Sequence, residues 1–287
     1  MLLDRLTDVL AFDQVDDGRF IARFGEKTAN RAERASDDRL YDFPEIGDDW
    51  ILLFGSYSMA LALVVSGRTV SDELVPMSAR SLFLRTGIPT EAIEIHVERD
   101  NDSRRLARRK VRFSHGSRVF FSSDLCFQRP DPDDGWHQPP IYVPAPAGMT
   151  SALMYLPMPV MELRPLAGPD TNVFDDVVIP GWFRFPAGVP ESPTWGAAAQ
   201  AWVSDYMVAQ AMLLKSGRFS PAWHARTLEH TMWFHRPINP ADWLLLNMTP
   251  TSLADHAYLA TGTIHDEHGA LGATIVQAGI FVPDTTA

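Results

Sequence analysis

Two side chains stand out by the company they keep. Asp205 follows the apolar stretch 197–203 and precedes Met207, Val208 and Ala211. A lone Asp within a helix is usually a surface group, but this segment looks largely buried, and buried carboxylates gather at functional sites. Gln277 sits among apolar neighbours near the end of the chain, and a buried amide must find hydrogen-bond partners. A third feature is basic. Arg99, Arg104, Arg105, Arg108, Arg109, Lys110 and Arg112 fall within fourteen positions of an acidic chain. Arginine forks suit phosphate groups; the plainer reading is an exposed strand and turn that balances nearby acids.

Other constellations carry less. His265-Asp266-Glu267-His268-Gly269 offers metal-donor types, yet between two alternating apolar runs it reads as a hairpin turn. His230 and His235, five apart on one strand, point to opposite faces, so no metal is expected. There is no Gly-x-Ser-x-Gly elbow, which disfavours a serine hydrolase of the α/β type. Neither a Walker loop nor Gly-x-Gly-x-x-Gly occurs, and no cofactor is expected.

The 287 residues suffice for one large domain or two ordinary ones. A net charge of −11 disfavours a nucleic-acid partner, because neutralising phosphates takes an excess of Lys and Arg. Cys126 is the single cysteine, which rules out an intrachain disulfide and fits a reducing compartment. Asp4 and Asp8 interrupt what would be the apolar core of a signal peptide, and the apolar run 59–65 is too short to span a bilayer. A cytoplasmic protein without a membrane partner is the expectation.

The elements that must hold these residues come in two similar series. Leu2, Leu3, Leu6 and Leu10 predict a short opening helix, and 18–24 a strand. Residues 26–49 read as a charged surface loop, and the uniformly apolar stretch after Gly55 and Ser56 as a buried helix. Short β-rich segments follow at 81–85, 92–98, 105–114 and 119–127. Residues 130–169 are dense in proline and read as a linker. The order then recurs: a strand at 177–185, a helical segment at 194–214, and strands at 225–235, 243–248, 257–265 and 271–282. Placing 81–85 over 231–235 gives an offset of 150, with Gln128 near Gln277 after small drift. We read an internal duplication. A helix without a polar face must be buried, and an antiparallel sheet long enough to curl around it is the economical solution. The expected fold is therefore α+β, a double hotdog: repeats at 1–129 and 173–287 joined by a linker at 130–172.

The segment from His230 to Pro237, His-Thr-Met-Trp-Phe-His-Arg-Pro, followed by Asp242-Trp243-Leu244-Leu245, resembles the signature of the acyl-CoA thioesterase II family. So does the closing run from Gly269 to Gly279. Leu53-Phe54-Gly55-Ser56-Tyr57 looks like that family's Phe-Gly-Gly-Gln helix start, and residues 81–85 like its Ser-Tyr-Phe-Leu-Arg strand. The resemblance implies hydrolysis of acyl-CoA to a free acid and CoA, without cofactor or metal, by a homo-oligomer. It also implies that Asp205, in Val-Ser-Asp, Thr227, shortly before the signature strand, and Gln277 hold a water. The chain departs from the family at Ser56 and Tyr57, at Glu229 in place of an aspartate, and at Ala278 in place of an acid.

Thioester hydrolysis needs an oriented water, a proton acceptor and donors for the oxyanion. Asp205 can take the proton, while Thr227 and Gln277 fix further hydrogen bonds. Direct attack by water and an anhydride formed by the carboxylate both remain open. Backbone N–H groups at Gly55 and Ser56, where a buried helix begins, are candidate oxyanion donors. Arg104, Arg105, Arg108 and Arg109 are candidates for the CoA phosphates. The offset of 150 puts Met77 opposite Thr227, and residues 55–66 contain no carboxylate, so one site per chain is expected. An enoyl-CoA hydratase and an acyl-CoA sensor with little turnover are the alternatives.

Overall fold

The computed structural model describes residues 5–24, 55–131, 139–140, 161–165, 181–185, 189–205, 208–209, 212, 216–218 and 223–283. The charged loop 26–49 and most of the proline-rich linker lie outside them. In the first half, α1 (Leu6–Val9) precedes β1 (Phe12–Asp16) and β2 (Arg19–Ala22). The helix α2 (Gly55–Gly67) follows, then β3 (Val75–Phe83), β4 (Ile93–Asp102), β5 (Leu106–His115) and β6 (Arg118–Gln128). The second half contains β7 (Glu162–Pro165), β8 (Gly181–Arg184), α3 (Pro193–Ser204), β9 (Trp223–Phe234), β10 (Leu244–Ala254), β11 (Ala257–Asp266) and β12 (Leu271–Pro283). Residues 162–165 fall where the sequence pointed to linker, yet they pair with β8 at the sheet edge.

All the strands join one antiparallel sheet in the order β1-β2-β4-β5-β6-β3-β9-β12-β11-β10-β8-β7. The order is a palindrome: each strand of the first half has its partner in the second, with β3 against β9 at the centre. That central seam pairs Ser78 with Trp233 through Leu82 with Glu229. This is the double hotdog. Alternation along the strands turns one face inward, as Ile93, Ile95 and Val97 on β4 illustrate.

Against that face lie the two helices. Every residue of α2 from Ser56 to Ser66 is buried, because Ala, Leu, Val and Met surround its axis and no polar face is left for water. Burying a side chain such as Leu61 or Leu63 stabilises by about 1.5–3 kcal/mol. For α3, Ser192 caps the start by accepting from Trp195 N–H, and Pro193 occupies the first turn, where no N–H is missed. A Cβ at Gly67 would collide with Thr194, so the end of α2 touches the beginning of α3. At their other ends Ser56 meets Asp205. The helices therefore run antiparallel, and the N-terminus of α2 faces the C-terminus of α3. No helix among the described residues is long and apolar enough to cross a membrane.

Matching bulges correct the register of the duplication. Between β3 and β6 the pairing slips at Met77, with Pro76 opposite Phe127 and Ser78 opposite Cys126. Between β9 and β12 it slips at Leu228, with Glu229 opposite Ala278 and Thr227 opposite Gly279. Superposing the bulges places Pro76, not Met77, as the counterpart of Thr227. Leu125 becomes the counterpart of Gln277, and Gln128 that of Ile280. Gln128 is thus no relic of Gln277; the earlier pairing was a product of offset drift.

Candidate active site

The expected helix 194–214 closes early. Ser204 is its last residue and Asp205 its C-cap, at φ −98° and ψ 0°; Val208, Ala209 and Met212 beyond it are again helical. Asp205 is therefore presented at a helix end rather than from a helix side. Its Oδ2 accepts the Ser56 N–H at 3.1 Å, and its Oδ1 accepts the Thr227 hydroxyl at 3.4 Å. Gly55 makes the approach possible, since a Cβ there would overlap the carboxylate. Burial pushes the Asp205 carboxyl up to about 7, against the lowering effect of the Ser56 N–H, the Thr227 hydroxyl and the neighbouring Gln277 amide. The N-terminal dipole of α2 also faces it.

Thr227 reaches this carboxylate because of the bulge at Leu228. On β9, Phe234, Met232 and His230 point inward, and strict alternation would turn Thr227 outward. The extra residue, Leu228, is 40% exposed and restores the inward direction one position later. Gln277 lies opposite His230 in the sheet. Its Nε2 donates to Thr227 Oγ1 at 3.1 Å and to Tyr258 Oη at 3.3 Å. Its Oε1 is 3.1 Å from His230 Nδ1, so that nitrogen carries the proton. Burial holds the His230 imidazole down near 4, which keeps it neutral at pH 7. The Nε2 atom of His230 is 2.9 Å from Ser204 Oγ. The polarity of the whole chain follows: His230 orients Gln277, Gln277 orients Thr227, and Thr227 donates to Asp205.

The structure thus brings Asp205, Thr227, Gln277 and Ser56 together. The Ser56 N–H, expected to stabilise an oxyanion, is instead engaged with the Asp205 carboxylate. Sequence reasoning missed His230, Ser204 and Tyr258 as members of the cluster. His230 carried a usable signal, since it shares the inward register of Met232 and Phe234. His265 and Asp266 end β11, where Asp266 Oδ1 accepts from the N–H groups of His268 and Ala270 and Gly269 takes φ +79° to complete the turn. The departing Glu229 faces outward and pairs with Arg80 across the seam at 3.3 Å.

Arg109 does not belong with the phosphate candidates. It is 1% exposed, and all its guanidinium N–H groups are used inside the protein. They bond Thr69 Oγ1, Thr69 O, Asn101 O, Arg108 O and Asp102 Oδ1. A β5 position that alternation turns inward explains the burial, which a charge run in sequence conceals. Arg104, Arg105 and Arg108 are exposed around the β4–β5 turn. That turn is tied to the β6 end that pairs with Val75, whereas the Phe83 end of β3 borders Gly55 and Asp205. At ~3.3 Å per residue, the length of β3 puts roughly 25 Å between them.

Comparison with known proteins agrees with this architecture. A family model described as the acyl-CoA thioesterase C-terminal domain matches residues 127–281. Acyl-coenzyme A thioesterase 8 of Mus musculus is 26% identical over 256 residues, covering 80% of each chain. Among solved structures, a tesB protein from Mycobacterium avium subs paratuberculosis superposes with a TM-score of 0.76 at 21% identity, covering 96% of this chain and 97% of that one. An acyl-CoA thioesterase II from Mycobacterium marinum gives 0.74 at 21% identity, covering 98% and 99%. With the family model spanning more than half its length, the chain belongs to the acyl-CoA thioesterase family, a family of thioester hydrolases.

Proposed function

We propose that the chain hydrolyses acyl-CoA thioesters at a single site in its second half, with Asp205 as general base and Thr227 and Gln277 as positioning groups. The observation that carries this reading is the buried Asp205 carboxyl, poised at about 7 between the Ser56 N–H and the Thr227 hydroxyl. A base titrating near neutrality combines a usable deprotonated fraction with real proton affinity. Water held against Asp205 adds through its oxygen to the thioester carbonyl carbon, and Asp205 takes the proton. The tetrahedral intermediate then collapses and the C–S bond breaks. The proton on Asp205 passes to the departing sulfur, so the products are the carboxylic acid and CoA thiol. Direct attack is favoured over an anhydride, because both Asp205 oxygens already accept hydrogen bonds and one is locked against a backbone N–H. A carboxylate so engaged is a better base than a nucleophile.

The first half offers no second site in this reading. Its counterparts of Thr227, His230 and Gln277 are Pro76, Ala79 and Leu125, none able to orient water. For the CoA phosphates, Arg104, Arg105 and Arg108 remain available as exposed cations, and Arg109 is withdrawn. A panel of acyl-CoA thioesters of graded chain length, with free thiol monitored, tests the function. Thiol release above the spontaneous rate is expected. Binding without release would point to a sensor, and consumption of enoyl-CoA without thiol to a hydratase.

A further inference from the structure

Tyr258 stands in the cluster without a role in the reaction as described. Across the sheet, Tyr258 on β11, Gly279 on β12 and Thr227 on β9 form one row. The corresponding row of the first half is Ala107, Phe127 and Pro76. There the bulk sits on the middle strand; here the middle strand has no side chain. A Cβ at Gly279 would collide with Tyr258 Cζ and Oη, so the ring lies across β12 in the space the glycine vacates. Phe281 flanks it with ring centroids 5.5 Å apart, and the side chain is buried. Gly279 and Tyr258 are therefore a matched pair that delivers a hydroxyl from β11 to the Gln277 amide, on the same Nε2 edge that faces Thr227.

Hydrogen accounting then singles out this hydroxyl. The two N–H groups of Gln277 go to Thr227 Oγ1 and Tyr258 Oη. The Thr227 O–H goes to Asp205 Oδ1, and the Ser56 N–H to Asp205 Oδ2. Of the backbone donors expected at the start of α2, the Ser56 N–H is thus engaged within the protein. The phenol oxygen accepts from Gln277 and also neighbours the Thr227 hydroxyl, so its O–H can turn between Thr227 Oγ1 and a substrate oxygen.

We propose that Tyr258 is a further catalytic residue, whose O–H donates to the oxyanion formed when water adds to the thioester carbonyl. The contact is a hydrogen bond and no proton is transferred; as the carbonyl π electrons move onto oxygen, the bond strengthens. The arrangement rests on Asp205 being the base. Burial, with the Asp205 charge, pushes the phenol up to about 12, so it remains protonated through the working range and acts as a donor, not a second base.

The test is Tyr258→Phe, which keeps the ring over Gly279 and removes only the hydroxyl, assayed beside Asp205→Asn. Loss of one oxyanion donor lowers kcat by about 10²–10³-fold, with KM little changed. A merely structural tyrosine would leave that kcat against KM split unmoved. A kcat for Tyr258→Phe close to wild type, with Asp205→Asn inactive, overturns the tyrosine's role and leaves the proposed function standing. Activity in both variants overturns the assignment of Asp205 as base too. Should Tyr258→Phe fail to fold, 3-fluorotyrosine at position 258 retains the ring and acidifies the O–H. A shifted kcat then supports the donor, and an unchanged kcat overturns it.

Discussion

Asp205→Asn separates the cost of the site to the fold from its value to the reaction. The carboxyl titrates near 3.8 when solvated and about 7 in place, because burial outweighs its hydrogen bonds. The folded state therefore holds the proton more tightly than the unfolded one. Well below pH 3.8 both states are protonated and the shift costs nothing. As pH rises from about 4 to 7 the unfolded chain ionises first, so stability falls; above 7 the penalty is constant. At about 1.4 kcal/mol per unit, the full penalty is on the order of 4 kcal/mol. Asparagine is nearly isosteric, keeps an acceptor for the Ser56 N–H and carries no charge. Its gain over wild type should be small at pH 4 and grow by roughly 3–4 kcal/mol by pH 8. Whatever the lost hydrogen bonds cost is independent of pH and drops out of that difference. Denaturant unfolding of both proteins from pH 4 to 8 measures it directly. Meanwhile kcat should fall by about 10²–10⁴-fold, the usual range for a general base. A stability difference that stays flat with pH would refute the reasoning, since the carboxylate would then not be ionising in a desolvated place.

Other consequences follow from the same geometry. In wild type, kcat/KM should rise with pH through about 7, since the base works only when ionised. Thr227→Val should move that limb to higher pH, because the threonine O–H holds the Asp205 carboxyl down; an unmoved limb would sever the contact from the chemistry. Thr227→Val and Gln277→Ala should each cost about 10²-fold in kcat through misplacement of the nucleophile. Their combination should cost little more than either alone, and strict additivity would argue against a shared water. Arg109→Gln should destabilise by about 1–3 kcal/mol, the cost of leaving buried acceptors such as Thr69 O unpaired, and leave KM unchanged in whatever folds. Changing Arg104, Arg105 and Arg108 together to Gln should weaken CoA thioesters more than truncated thioesters lacking the nucleotide; equal effects would leave those arginines as solvated surface.

The fold was legible because burial writes a coarse pattern. Residues 59–65 have no polar face and demanded enclosure, while alternation on β4 and β12 marked strands with one face inward. Asp205 and Gln277 were legible for the same reason, as polar groups in apolar company. What escaped was set by one-residue details. The bulge at Leu228 turns Thr227 inward, and its twin at Met77 shifts the duplication by one, yet a bulge leaves no compositional mark. Asp205 was placed within a helix, whereas α3 closes at Ser204 and leaves it as the C-cap. Arg109 was hidden in a run of charge, because alternation decides burial residue by residue. Tyr258 was invisible because its reason for being there, Gly279, stands on another strand.

The most direct measurement is acyl-CoA turnover by the Asp205→Asn/Gln277→Ala double variant, with thiol release followed under the conditions in which wild type is active and with folding verified by thermal unfolding. Removing both the proposed base and the proposed positioning amide should leave release at the spontaneous rate. Substantial turnover surviving in the folded double variant would contradict the account and place the chemistry elsewhere in the chain.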